Sequence, residues 1–161
     1  MQFIVDGMLR GLLRWLRILG FDTRELPHLN QSEKIAGELT EKYFLTGSPR
    51  HYEAWPHQRK LLIKLEPTGE QLNYLDIQLG IYTRMKLFSR CSLCNSELEL
   101  TPKENVLERL PPGVAKHFNR FHLCPSCGKV YWEGGHVVRM IDKLRRMGIP
   151  INSNYKGEPN D

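Results

Sequence analysis

All four cysteines of this chain stand in two C-x-x-C pairs, Cys91/Cys94 and Cys124/Cys127, with 29 residues between the pairs. A two-residue spacing lets both thiolates of a tight knuckle face one ion. Two such knuckles complete the tetrahedral sulfur set that suits zinc. Two disulfides or a redox pair are the other readings. Disulfides belong to exported chains, and the amino-terminal stretch has no secretory pattern. Arg10, Arg14 and Arg17 interrupt its apolar run, Met8 to Leu19, and no small-residue cleavage site follows. A thioredoxin-like motif needs one pair rather than two. A structural zinc site at Cys91, Cys94, Cys124 and Cys127 is therefore expected. It would hold a small ribbon together and leave no open coordination position. Asn95 and Gly128 follow the knuckles, where tight turns need them, and the long spacer carries Pro111-Pro112.

The residues before the cysteines follow a different pattern. Phe3-Ile4-Val5 reads as a short buried strand ending in Asp6, a carboxylate that is either a turn-maker or a charge placed in a cleft. Met8, Leu9, Leu12, Leu13, Leu16 and Leu19 then recur at helical spacing, and Arg10, Arg14 and Arg17 fall on the other side. Gly20 stops this helix, and Phe21-Asp22-Thr23 starts a second extended segment. Asn30 and Glu33 resemble a capping box for a helix running to about Lys42. Tyr43-Phe44-Leu45-Thr46 and Leu61 to Leu65 read as strands, with a loop or irregular helix between them. Thr68 with Gln71 would cap a helix carrying Leu72, Leu75 and Leu79. Strands alternating with helices imply a mainly parallel α/β sheet, whose function gathers at the carboxyl ends of the strands. The expected division is an α/β domain over residues 1–89, a ribbon and carboxy-terminal helix over 90–147, and a flexible tail over 148–161.

Net charge is +5, and the two parts share it, so neither is a basic tail. This bias is compatible with a polyanionic partner and also with ordinary solvated surface. Arg10, Arg14 and Arg17 form one candidate phosphate-binding set. Arg50, Arg59 and Lys60 form a second, with Tyr52 and Trp55 available to stack on unpaired bases. Arg139, Lys143, Arg145 and Arg146 could add to them. For each set the competing reading is the solvated face of an amphipathic segment. Tyr131 and Trp132 would pack the ribbon against the main domain, and His136 would touch RNA or brace the ribbon. No apolar run of about eighteen residues is present, so no membrane-spanning helix is expected, and the cytoplasm is the default location.

Taken in order, FIVDGMLRGLLRWLRILGFDT, YFLT, SRCSLCN and CPSCGKVYWEGGH resemble the PIN-like C-terminal RNase domain of the Mut-seven family, from about residue 2 to residue 140. The resemblance implies a three-layer PIN-like α/β domain followed by a zinc ribbon. It also implies a ribonuclease acting on RNA phosphodiesters with magnesium or manganese held at acidic strand ends. Asp6 matches the family's first acid. Asp22 matches a Gly-Tyr/Phe-Asp-Thr segment and is expected to be more structural than catalytic, with Glu33 a substitute ligand or simply a helix cap. Glu53 and Asp76 read as surface acids.

Two acids expected from the family are absent. The helix after Asn30 opens with Asn30, Gln31 and Ser32, and Leu45-Thr46-Gly47-Ser48 stands where Leu-Thr-x-Asp is common. Hydroxyls are poor ligands for hard cations, so hydrolysis would be weakened. The alternatives are an inactive RNA-binding or ribonucleoprotein component, and a zinc-stabilised module for protein partners.

Overall fold

The computed structural model describes residues 1–26 and 39–152, so the helix expected after Asn30, Glu33 included, lies outside the described residues. Four strands, β1 (Gln2–Asp6), β2 (Asp22–Leu26), β3 (Tyr43–Thr46) and β4 (Lys60–Leu62), form one parallel sheet in the order β2-β1-β3-β4. Parallel strands covered on both faces read as continuous apolar runs, as Phe3-Ile4-Val5 and Phe44-Leu45 do. The pleat sends alternate residues to opposite faces. Phe3, Val5, Leu45 and Ile63 thus join the larger core, while Ile4 and Phe44 pack with Leu26, Leu39 and Trp55 on the other side.

The larger core is closed by helices α1 (Arg10–Ile18) and α3 (Thr68–Leu79). A 3-10 turn, Gly7–Leu9, precedes α1 and leaves Met8 exposed, so the buried stripe begins at Leu9. The expected cap of α3 is not formed: its N-cap is Pro67, without a side-chain bond. Gln71 is buried instead and donates to the Lys64 carbonyl at 2.9 Å. Asp76 also has a structural partner, accepting the Tyr82 N–H at 2.8 Å. The segment after Ser48 forms a six-residue helix, α2 (Pro49–Ala54), and β4 ends at Leu62, short of the expected Leu65.

Beyond residue 90, three short strands make an antiparallel sheet in the order β5 (Glu99–Thr101), β6 (Phe121–Leu123), β7 (Val130–Trp132). Val106, Phe121 and Val130 form its own small core. Between β5 and β6 the long cysteine spacer holds two 3-10 turns and a one-turn helix, α4 (Val114–His117). The last helix, α5 (Gly135–Arg146), then returns to the main domain. Leu144 on it, and Ile149 beyond it at 3% exposure, are buried in the larger core. The chain therefore keeps apolar anchors past residue 148. Among the described residues no helix is long and apolar enough to cross a membrane.

The turn from α1 into β2 depends on Gly20, whose φ is +93°. A Cβ there would meet the Lys86 carbonyl, which is fixed because Lys86 N–H bonds the Leu19 carbonyl at 2.9 Å. Left-handed backbone and close approach both require glycine. Gly20→Ala is therefore expected to lower unfolding stability by more than about 1 kcal/mol, read from urea midpoints. An unchanged midpoint would mean that this turn is not the constraint described.

Candidate active site

Asp6 ends β1 at the carboxyl edge of the sheet, and at 7% exposure it is nearly buried. Both readings of this acid hold together. As a turn-maker it caps the 3-10 turn, its Oδ1 accepting the Met8 N–H at 3.2 Å. As a placed charge it offers Oδ2 to the Thr46 hydroxyl at 2.7 Å and to His51 Nδ1 at 2.6 Å. An ionised carboxylate only accepts, so the facing Nδ1 carries a proton and donates; whenever the ring is neutral, Nε2 is then the acceptor. Burial alone would raise the Asp6 pKa. The bonds from Thr46, His51 and Met8, with the His51 charge, outweigh it and hold the carboxyl below its ordinary 3.8.

The neighbours of Asp6 owe their positions to β3 and α2. Thr46 ends β3 with no exposed surface, and its hydroxyl also accepts the Ser48 N–H at 3.0 Å. Ser48 caps α2, accepting the His51 N–H at 3.3 Å, and Pro49 opens the helix. The first turn of α2 thus delivers His51 back onto the strand ends. Thr46 keeps the Thr of the Leu-Thr-x-Asp pattern and donates to Asp6, whereas Ser48 stands where that pattern has Asp and caps the helix. His51 is a residue the sequence reading passed over, although it named Arg50 and Tyr52 on either side. Its signal was Ser48-Pro49, an N-cap and N1 pair that fixes what the following turn presents.

Asp22 is not at this site. It pairs with Gln2 at the amino end of β1, four residues from Asp6, or about 13 Å at strand spacing. Its carboxylate accepts from Gln2 Nε2 at 2.9 Å and from Asn95 Nδ2 at 2.6 Å. These bonds tie the start of β2 to β1 and to the first cysteine knuckle.

The basic residues scatter. Arg17 does not share a solvent face with Arg10 and Arg14. At 9% exposure its guanidinium donates to the Thr23 carbonyl at 2.9 Å and to the Ser92 and Leu93 carbonyls of the first knuckle. Arg10 pairs with Glu25 at 2.6 Å, and Arg59 pairs with Glu41 at 2.9 Å. Arg50 is exposed on α2. Lys60 donates to the Tyr52 and Trp55 carbonyls and lies over the Tyr52 ring. Trp55, at 2% exposure, stacks on Phe44 with centroids 4.2 Å apart, so it is closed to any base.

The cysteines converge. Their four sulfurs all lie within 4.8 Å of one another, with Cys91 to Cys127 at 3.6 Å and Cys94 to Cys124 at 3.3 Å. A Zn–S bond of 2.3 Å implies sulfur separations of about 3.8 Å in a tetrahedron, so these four free thiols could hold zinc. Both knuckles close in the same way. Asn95 N–H bonds the Cys91 carbonyl and Gly128 N–H bonds the Cys124 carbonyl, each from a left-handed residue, at φ of 74° and 71°. The Tyr131 hydroxyl reaches Cys91 Sγ at 3.0 Å, so this aromatic supports a ligand directly.

A parallel α/β sheet with a buried acid at the end of a central strand, tied to a four-cysteine ribbon, defines the class: an α/β domain with a ribbon module able to hold a metal. A family model described as the Mut7-C RNAse domain matches residues 1–144, and the chain belongs to that family. No curated protein and no solved structure matched the chain.

A divalent ion at Asp6 has partial support in the donor set. Magnesium keeps several waters and takes one or two carboxylates plus phosphate oxygens, and Asp6 supplies one ionised carboxylate. Among the described residues, no group of three His, Cys, Asp or Glu surrounds it.

Two outcomes are expected. Because the Asp6 pKa is depressed in the folded chain, its stabilising contribution is full above the unfolded value of about 3.9 and is lost as pH falls through the folded value. Asp6→Asn should therefore cost about 1–2 kcal/mol at neutral pH and little at about pH 2, by urea denaturation. Equal costs at both would remove the ionised network. Elemental analysis should find zinc near one equivalent per chain, lost in Cys91→Ser with unfolding of the ribbon strands in amide spectra. A metal-free chain with an intact ribbon would contradict this.

Proposed function

We propose that the chain is a ribonuclease that hydrolyses RNA phosphodiesters, with Asp6 as its principal catalytic carboxylate. The observation that carries this reading is the ionised, nearly buried Asp6 at the carboxyl end of β1, one of the two inner strands of the parallel sheet. Functional groups of such sheets collect at that edge. Magnesium or manganese bound at Asp6, with Glu33 as the second carboxylate, would supply water activation and relief of charge on the leaving oxygen. Thr46 and His51 fix the carboxylate's orientation through their bonds to Oδ2. His51 Nε2 is the nearby group able to take or return a proton. Hydrolysis is slow on this reading, because the acids expected near Ser32 and at position 48 are missing, and Ser48 serves as a helix cap. Paired free cysteines suit a reducing compartment and support work in the cytoplasm.

The absence of a three-ligand cluster around Asp6 among the described residues favours a second reading: RNA binding without cleavage, in a larger ribonucleoprotein. Incubation with single-stranded and hairpin RNA separates the two. The ribonuclease reading expects manganese-dependent cleavage that EDTA stops and that Asp6→Asn lowers by at least about a hundredfold. Binding with no cleavage, or cleavage unaltered in Asp6→Asn, would leave the second reading standing.

A further inference from the structure

Away from Asp6, the carboxy-terminal half of α1, the ribbon and α5 enclose a cavity of about 680 Å³. Its charged lining is one-sided. Arg14, Arg90, Lys129, Arg139 and Lys143 line it with a single carboxylate, Glu133, and of these Arg90 is already paired with Glu97 at 2.8 Å. Between the cations stand half-buried aromatic side chains, chiefly Trp15 and Trp132. The two kinds of group are interleaved. Lys143 Nζ lies 5.4 Å from the Trp15 ring centroid, and Lys129 Nζ lies 5.3 Å from that of Tyr131. Arg139 and Lys143, one helical turn apart, are both exposed along α5. For His136, a turn earlier, burial and the nearby Arg139 and Lys129 lower the pKa and so favour the neutral ring. A neutral imidazole can both donate to and accept from a base edge.

Cations alternating with flat apolar rings match the two chemistries of a single-stranded nucleic acid, phosphates and unstacked bases. The volume lies in the range of about 300–1,000 Å³ typical of small-ligand sites, so it admits a nucleotide. Duplex RNA keeps its bases paired and stacked, which leaves no free face for an indole to meet. We propose that this groove binds unpaired nucleotides of RNA, the indoles of Trp15 and Trp132 meeting bases and Arg14, Arg139 and Lys143 meeting phosphates. The inference rests on the RNA-directed reading and adds a second binding site to it. Helix α1 spans the interval between the two sites, and nine residues at 1.5 Å each give about 13 Å. An RNA strand anchored in the groove is thereby tethered near Asp6 without touching it.

The test uses the full, zinc-loaded chain and a fluorescein-labelled twelve-nucleotide oligouridylate (~12 nt, long enough to fill a groove of this kind), followed by anisotropy across a salt series. Arg139→Gln/Lys143→Gln, both on exposed positions, should weaken binding at least about tenfold and flatten the log–log salt slope by about 1.4, at about 0.7 per phosphate contact on a single strand. The oligonucleotide should quench tryptophan fluorescence, since Trp15 and Trp132 line the groove while Trp55 is buried elsewhere. A blunt RNA duplex should compete poorly. If the double variant binds with wild-type affinity and slope, or if duplex competes equally, the groove assignment is overturned and the Asp6 reading survives. If the wild-type chain binds no oligonucleotide at all, both fall.

Discussion

The Arg17 guanidinium is the interaction on which the arrangement of this molecule depends. It is buried at the end of α1 and bonds carbonyls of β2 and of the first cysteine knuckle together. Beside it Asn95 of the same knuckle accepts the Thr23 N–H at 2.8 Å and donates to Asp22, which completes the seam. A buried guanidinium needs compensating negative charge; burial lowers the Arg17 pKa, and Cys91 and Cys94, with Glu25 and Asp22, act against that lowering. Zinc bound by four thiolates would carry a net charge of −2, so a metal held there and the helix's arginine would stabilise each other. Ribbon and sheet are joined through a charge that neither would bury alone.

This seam fixes the polarity of the rest. It binds the ribbon to the amino end of the parallel sheet, where Asp22 lies, and leaves the carboxyl end open for Asp6, Thr46 and His51. It also turns α5 back across α1, burying Leu144 and Ile149 in the main core. The basic, aromatic-lined groove is the space left between these three elements. A structural end and a chemical end are thus separated by the length of one helix.

What the sequence made legible was what local chemistry determines. Periodicity marked α1, the apolar runs marked β1 and β3, and the cysteine spacing marked the knuckles, because each follows from neighbours along the chain. Arg17 was misplaced because helical spacing puts it near Arg10 and Arg14, and only the docked ribbon makes its burial favourable. Trp55 and Gln71 differed for the same reason: Phe44 and the Lys64 carbonyl, their partners, come from other elements. Asp22 shows the limit most directly. Its motif was visible, but which end of the sheet it occupies follows from strand direction and register. His51 needed one more step, from a Ser-Pro helix start to the side chain that its first turn points back at Asp6.

The proposed ribonuclease reading places magnesium or manganese at the Asp6 end of the sheet and not at Asp22. Paramagnetic manganese added to the zinc-loaded, isotope-labelled chain reads this directly, because it broadens amide signals close to its site. The account predicts early loss of the Gly7, Thr46 and His51 signals while Thr23 and Asn95 stay sharp. Broadening centred on Asp22 and Asn95, or uniform weak broadening over the whole chain, would contradict it.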